Sequence, residues 1–162
     1  MKKYVNLAIG MTLLLGVVSI GTVQAQEIPE QNQKIIKYVD GVKNQKIDRG
    51  ECWDLLNFAL NKTGATWNSP DEFGTVVKPK KEKLYPGDMI SFSKVRLDNP
   101  DKSWQTFYHH YAIVYEVKED GVIVIAHQNY NDVRKVMFTD INISNVTKGT
   151  LTFFRPQAAT EE

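Results

Sequence analysis

One cysteine in 162 residues excludes an internal disulfide, because a bridge needs two thiols. The chain also lacks the closely spaced cysteine and histidine pairs that pre-organise structural zinc. A metal site built from Cys52, His110 and His127 is therefore not expected, and the site reading calls for no metal and no cofactor. No long block of like charge is present: 20 Lys and Arg stand against 19 Asp and Glu. A nucleic-acid binder carries a basic stripe, and the sole basic cluster here, Lys78-Pro79-Lys80-Lys81-Glu82-Lys83, reads as a solvated loop. Nucleic acid is thus not an expected partner. No internal repeat is visible, and nothing marks a second folded domain.

What is present begins with a targeting pattern. Lys2 and Lys3 precede an apolar stretch from Leu7 to Ile20, and Val23-Gln24-Ala25 places small residues where a signal peptidase reads them. Cleavage is expected after Ala25, making residues 1–25 a signal peptide and the product secreted or periplasmic. The stretch is short of the ~18 apolar residues of a spanning helix, so no membrane attachment is expected after cleavage. With no cysteine at the cleavage site, a lipid link is excluded. The remaining 137 residues suffice for one domain with a single core, expected to act as a monomer. Losing Lys2 and Lys3 leaves 18 basic residues against 19 acidic ones.

Residues 26–32 are polar with Pro29 and read as a disordered lead-in, the domain proper covering 33–157 and a short tail 158–162. Ile35, Ile36, Val39 and Val42 recur at helical spacing and predict a helix over about 31–43. Asp48 followed three residues later by Glu51 is a capping-box pattern. It predicts a second helix through Cys52, Leu55, Leu56, Ala59 and Leu60, ending near Gly64. Residues 65–83 and 94–104 read as loops around a strand at 89–92. The period then changes to two, predicting strands over 110–117 and 122–129 joined by a turn at 118–121, with further strands near 134–138 and 150–154. Helices first and an antiparallel sheet afterwards make an α+β domain.

The chemistry-bearing residues are few. A thiol near a helix start feels unpaired backbone N–H groups and the positive end of the helix dipole, which favour thiolate, and the same N–H groups can hold an oxyanion. Cys52 has that placement. On the hairpin, a four-residue turn makes paired residue numbers sum to 239, setting His127 across from Ala112 and Asn129 across from His110, whereas a tight Asp120-Gly121 turn would set Asn131 across from His110 with the same facing. His110, His127 and Asn129 then share one face, with Tyr111, Ile113 and Tyr115 on the other, while His109 points away from the trio. A nucleophilic thiol, an imidazole base and a polar residue to orient it are the parts of cysteine acyl-transfer catalysis. Trp53 and Trp104 are candidate groove-lining residues.

Together the runs Gly50-Glu51-Cys52-Trp53, Pro86-Gly87-Asp88-Met89-Ile90-Ser91-Phe92, His110-Tyr111-Ala112-Ile113-Val114 and His127-Gln128-Asn129 resemble the CHAP families of the NlpC/P60 superfamily. These are papain-like cysteine amidases and peptidases that mostly act on bacterial cell-wall peptides. The doubled His109-His110 also resembles a cysteine-proteinase-fold domain of fungal actin-patch proteins. The resemblance implies a papain-like NlpC/P60-CHAP fold, with N-terminal helices packed on an antiparallel sheet. It makes Cys52 the nucleophile and His110 the general base, with His127 standing where CHAP domains usually carry a glutamate. Glu51 stands where a glutamine commonly precedes the nucleophile, and Gln45 is a candidate oxyanion donor. The function expected is a secreted cysteine hydrolase cleaving an amide or peptide bond through a thioester, with peptidoglycan the implied substrate. The alternative is a non-catalytic binding or inhibitory module on the same fold.

Overall fold

The structure, a computed structural model, describes residues 27–68 and 71–159. The expected signal peptide lies outside the described residues. Helix α1 spans Glu30–Gly41 and buries Ile35 and Val39, as their spacing requires. It starts earlier than expected: Gln31 and Asn32 are already buried, so the polar lead-in stops short of residue 30. The Asn32 amide explains this, donating to Pro86 O at 3.0 Å and to Asp88 Oδ1 at 2.8 Å.

Helix α2 spans Cys52–Lys62, and its cap differs from the one the sequence suggested. The N-cap is Glu51, whose N–H donates to Asp54 Oδ2 at 3.0 Å. Asp48 and Gly50 instead have φ of 51° and 87° and form a turn closed by Gly50 N–H to Ile47 O at 2.9 Å. Both Asp48-x-x-Glu51 and Glu51-x-x-Asp54 fit the capping spacing, and two left-handed residues before Glu51 decide between them. The shift makes Cys52 the first helical residue, at a helix start where the Glu51 N–H is taken by Asp54 Oδ2 and the Asp54 N–H by Glu51 O at 3.0 Å.

Among the described residues eight strands follow α2: β1 Ala65–Thr66, β2 Thr75–Val77, β3 Met89–Asp98, β4 Trp104–Val117, β5 Val122–His127, β6 Met137–Asn142, β7 Val146–Arg155 and β8 Gln157–Ala158. Six form one antiparallel sheet in the order β2-β7-β3-β4-β5-β6, and β1 pairs with β8. The architecture is α+β, two helices on an antiparallel sheet. The stretches read as loops hold more structure than expected. β3 runs on to Asp98 and pairs with β4 through Trp104, and β1 and β2 lie inside the span 65–83.

The sheet has a core on each face. Leu55, Leu56 and Ala59 of α2 and Ile35 and Val39 of α1 pack on Met89, Tyr111, Ile113 and Ala126. The other face gathers Ile90, Phe92, Ala112, Val114, Ile123, Ile125 and Phe153. A fully buried carboxylate ties the layers together. Asp88 accepts from the Tyr85 N–H at 2.9 Å, from Asn32 on α1, and from Arg155 Nη2 at the end of β7 at 2.9 Å. Gly87 before it has φ 89°, and a Cβ there would stand 2.5 Å from Asn32 O. Pro86-Gly87-Asp88 is therefore the joint between α1 and the sheet.

Candidate active site

The Cys52 thiol is half-buried at the helix start, against the core that contains Tyr111. The backbone N–H groups of Tyr111, Trp53 and Cys52 favour its thiolate. Burial outweighs them and pushes the thiol up, with the neighbouring Glu51 carboxylate acting in the same direction.

The hairpin register is the expected one at Ile113–Ala126 and Val114–Ile125, then slips by one at Glu116–Val124. His110 and His127 accordingly come together: His110 Nε2 lies 2.8 Å from His127 Nδ1, with the rings at 90°. His127 Nε2 in turn lies 2.8 Å from Thr139 Oγ1 on β6. Phe107 and Tyr130, stacked with centroids 4.8 Å apart, wall this pair from solvent. Burial pushes His110 down to about 4, and burial together with the His110 charge pushes His127 down to about 3. Both imidazoles are neutral at pH 7. When His127 donates from Nε2 to Thr139, its Nδ1 must accept from His110 Nε2–H, and the lone pair of His110 is then on Nδ1. Among the described residues that Nδ1 makes no hydrogen bond.

The thiol and the imidazole approach this arrangement from different sides. Tyr111 and Ile113 face the helices, whereas His110 shares the opposite face with Phe92 and Phe107. Cys52 meets β4 at the amide of Tyr111, one residue along from His110 and level with the point where β5 has ended at His127. Among the described residues no hydrogen bond joins the thiol to either imidazole.

The other candidates are placed elsewhere. Asn129 has φ 56° and leaves the strand, and its amide donates to Glu51 Oε2 rather than to a histidine. Trp53 packs edge-on among Trp67 and Tyr111 as part of the helix-side core. Trp104 is exposed, with the Arg96 guanidinium over its ring, and sits six residues before His110, about 20 Å along a strand. The Gln45 amide is spent on Gly41 O. Among the described residues no cluster of three or more His, Cys, Asp or Glu could hold a metal ion.

Sequence reasoning passed over Thr139, Gln128, Tyr130 and Arg134. Gln128 is fully buried and bolts the end of β5 to the helix entry, donating to Glu51 O at 2.8 Å and Ile47 O at 3.0 Å. Only its place between His127 and Asn129 could have drawn attention to it. Thr139 carries no local signal, because it reaches His127 through strand pairing alone.

Comparison with known proteins agrees with this architecture. A family model described as the AIM3/BBC1 cysteine proteinase-fold domain matches residues 30–161. Altered inheritance of mitochondria protein 3 from Debaryomyces hansenii is 27% identical over 154 residues, which cover 77% of this chain. The chain spans only 16% of that relative's length. Among solved structures, Ly7917 with the hydrolyzing product of MDP superposes with a TM-score of 0.51 at 16% identity, over 77% of this chain and 62% of that one. A second crystal structure of Ly7917 gives the same TM-score at 15% identity, over 76% and 62%.

Proposed function

This chain belongs to the AIM3/BBC1 cysteine proteinase-fold domain family, and on that premise we propose that it is a cysteine hydrolase cleaving an amide or peptide bond through a thioester. The observation that carries the reading is the relay His110–His127–Thr139. It engages one nitrogen of His110 and leaves Nδ1 without a hydrogen bond among the described residues, one residue from the amide that meets Cys52.

The chemistry starts from a neutral pair. A thiol pushed up and an imidazole pushed down do not exchange a proton at rest. Deprotonation therefore accompanies attack, once a bound carbonyl draws the sulfur forward. Cys52 Sγ adds to the carbonyl carbon as His110 Nδ1 takes the thiol proton, and the N–H groups at the start of α2 hold the oxyanion. Collapse breaks the C–N bond, and His110 returns the proton to the leaving amine. Water then attacks the thioester with His110 as base, releasing the acid and restoring the thiol. His127 fixes the ring and accepts from Nε2–H throughout. Being uncharged, it stabilises the transient imidazolium less than a carboxylate would.

The resemblance to CHAP and NlpC/P60 enzymes makes wall stem peptides and the muramoyl-alanine amide the first substrates to consider, and the fold shared with Ly7917, held with the hydrolyzing product of MDP, supports that choice. In this reading the N-terminal segment sends the enzyme out of the cell. Incubation with peptidoglycan fragments should release new amines, and Cys52→Ala should abolish their release. Equal release by wild type and Cys52→Ala would refute the assignment. The resting thiol, without an imidazole hydrogen bond, favours a second reading, a binding module that kept the scaffold; fragment binding without turnover is its signature.

A further inference from the structure

Asn129 belongs to a cluster built around the residue beside the thiol. The Glu51 carboxylate is gripped at both oxygens, Oε2 by Asn129 Nδ2 and Oε1 by Arg134 Nη1. Its backbone is held as well, the N–H by Asp54 and the carbonyl by Gln128. The loop after β5 is shaped to bring these groups in. Asn129, Asn131 and Asp132 all have positive φ, and Asn129 N–H closes on Val133 O at 2.7 Å. Gly50 accepts the loop at close range, since a Cβ there would lie 2.8 Å from Arg134 Cβ and from Arg134 O.

We propose that Glu51 is a positioning residue for Cys52: held by Asn129 and Arg134, its carboxylate fixes the helix start against the loop that follows His127 and sets the charge felt by the thiol. The inference rests on the reading above only in calling Cys52 the nucleophile. Other charged groups stand around the thiol. Arg49 and Asp54 pair with one another on the helix entry at 2.5 Å, and Asp71 lies beyond the Tyr111 hydroxyl at 2.9 Å. His110 and His127 stay neutral near pH 7. Glu51 is the charge next in sequence to the thiol, and Arg134 is its counter-charge. Removing either member should therefore act on the thiol with opposite sign.

The test needs no substrate. Alkylation of Cys52 by iodoacetamide is followed from pH 6 to 10 in the full chain, and the midpoint of the rate profile is read. Glu51→Gln is isosteric and keeps an acceptor for Asn129, and Arg134 is an exposed side chain, so both variants should fold. Glu51→Gln is expected to move the midpoint to lower pH and Arg134→Ala to higher pH. The rates at pH 7 should change by about threefold or more in opposite directions. Shifts of both variants in the same direction, as loosening of the helix entry would give, overturn the proposal, and so does no shift in either. A chain that hydrolyses nothing can still show the opposed shifts, and an active hydrolase with parallel shifts loses this inference alone.

Discussion

In the proposed mechanism His127 supplies a neutral ring where a CHAP domain would carry a carboxylate, and Thr139 completes its directional relay. Truncation of His127 removes the partner of His110 Nε2 and frees the ring to rotate. His127→Ala is expected to lower kcat/KM by about a hundredfold, and Thr139→Val by less, since the first loses the orienting contact itself. Steady-state kinetics on a cleaved substrate check this order. The same two imidazoles give stability a signature. A histidine held below its unfolded value of ~6.5 binds a proton more readily in the unfolded chain. Its contribution is complete above that value and is lost as pH falls toward the folded value, about 4 for His110 and about 3 for His127. Melting temperature should fall between pH 6.5 and 5, before most carboxylates titrate, and His110→Asn/His127→Asn should flatten that fall.

At the scale of elements, the entry to α2 is held by Gln128, just past the end of β5, as well as by the packing of the helix itself. Gln128→Leu would strand the buried Ile47 N–H and take one of two donors from the Ile47 and Glu51 carbonyls, costing roughly 1–3 kcal/mol by denaturant unfolding. Hydrogen exchange should show the loss first at the amides of 51–54. The elements that the sequence made legible are those whose pattern is long and regular. Ile35 and Val39 declare α1, and alternation from 110 to 117 and 122 to 127 declares the central hairpin. β3 outruns its sequence pattern because Ser93-Lys94 breaks the alternation at a bulge where Lys94 has φ 52°. β2 is three residues at a sheet edge between glycine and lysine, too short to carry a period. The sequence pattern puts the cap of α2 three residues early because two overlapping motifs satisfy one spacing, and only the turn at 47–50 distinguishes them.

At the scale of the molecule, strand alternation correctly puts His110 and His127 on one face, but alternation is relative. It cannot say which face the helices cover, and the answer places the two histidines away from α2 while Cys52 reaches only the edge of β4. Asn129 departs from that face for a related reason: the hairpin register does not extend past His127, because a left-handed residue ends the strand. The joint at Asp88 is what holds α1, β3 and β7 in one frame. Arg155→Leu leaves that fully buried carboxylate without its counter-charge and should cost on the order of 3 kcal/mol in urea unfolding. The central claim is that Cys52 and His110 work as one unit despite resting as a neutral thiol and a neutral imidazole. Trapping of an acyl-enzyme from an activated ester at pH 7, read by mass spectrometry, tests it most directly. The account predicts rapid acylation of Cys52 that falls about a hundredfold or more in His110→Ala; acylation no faster than that of a free cysteine, and indifferent to His110, would contradict it.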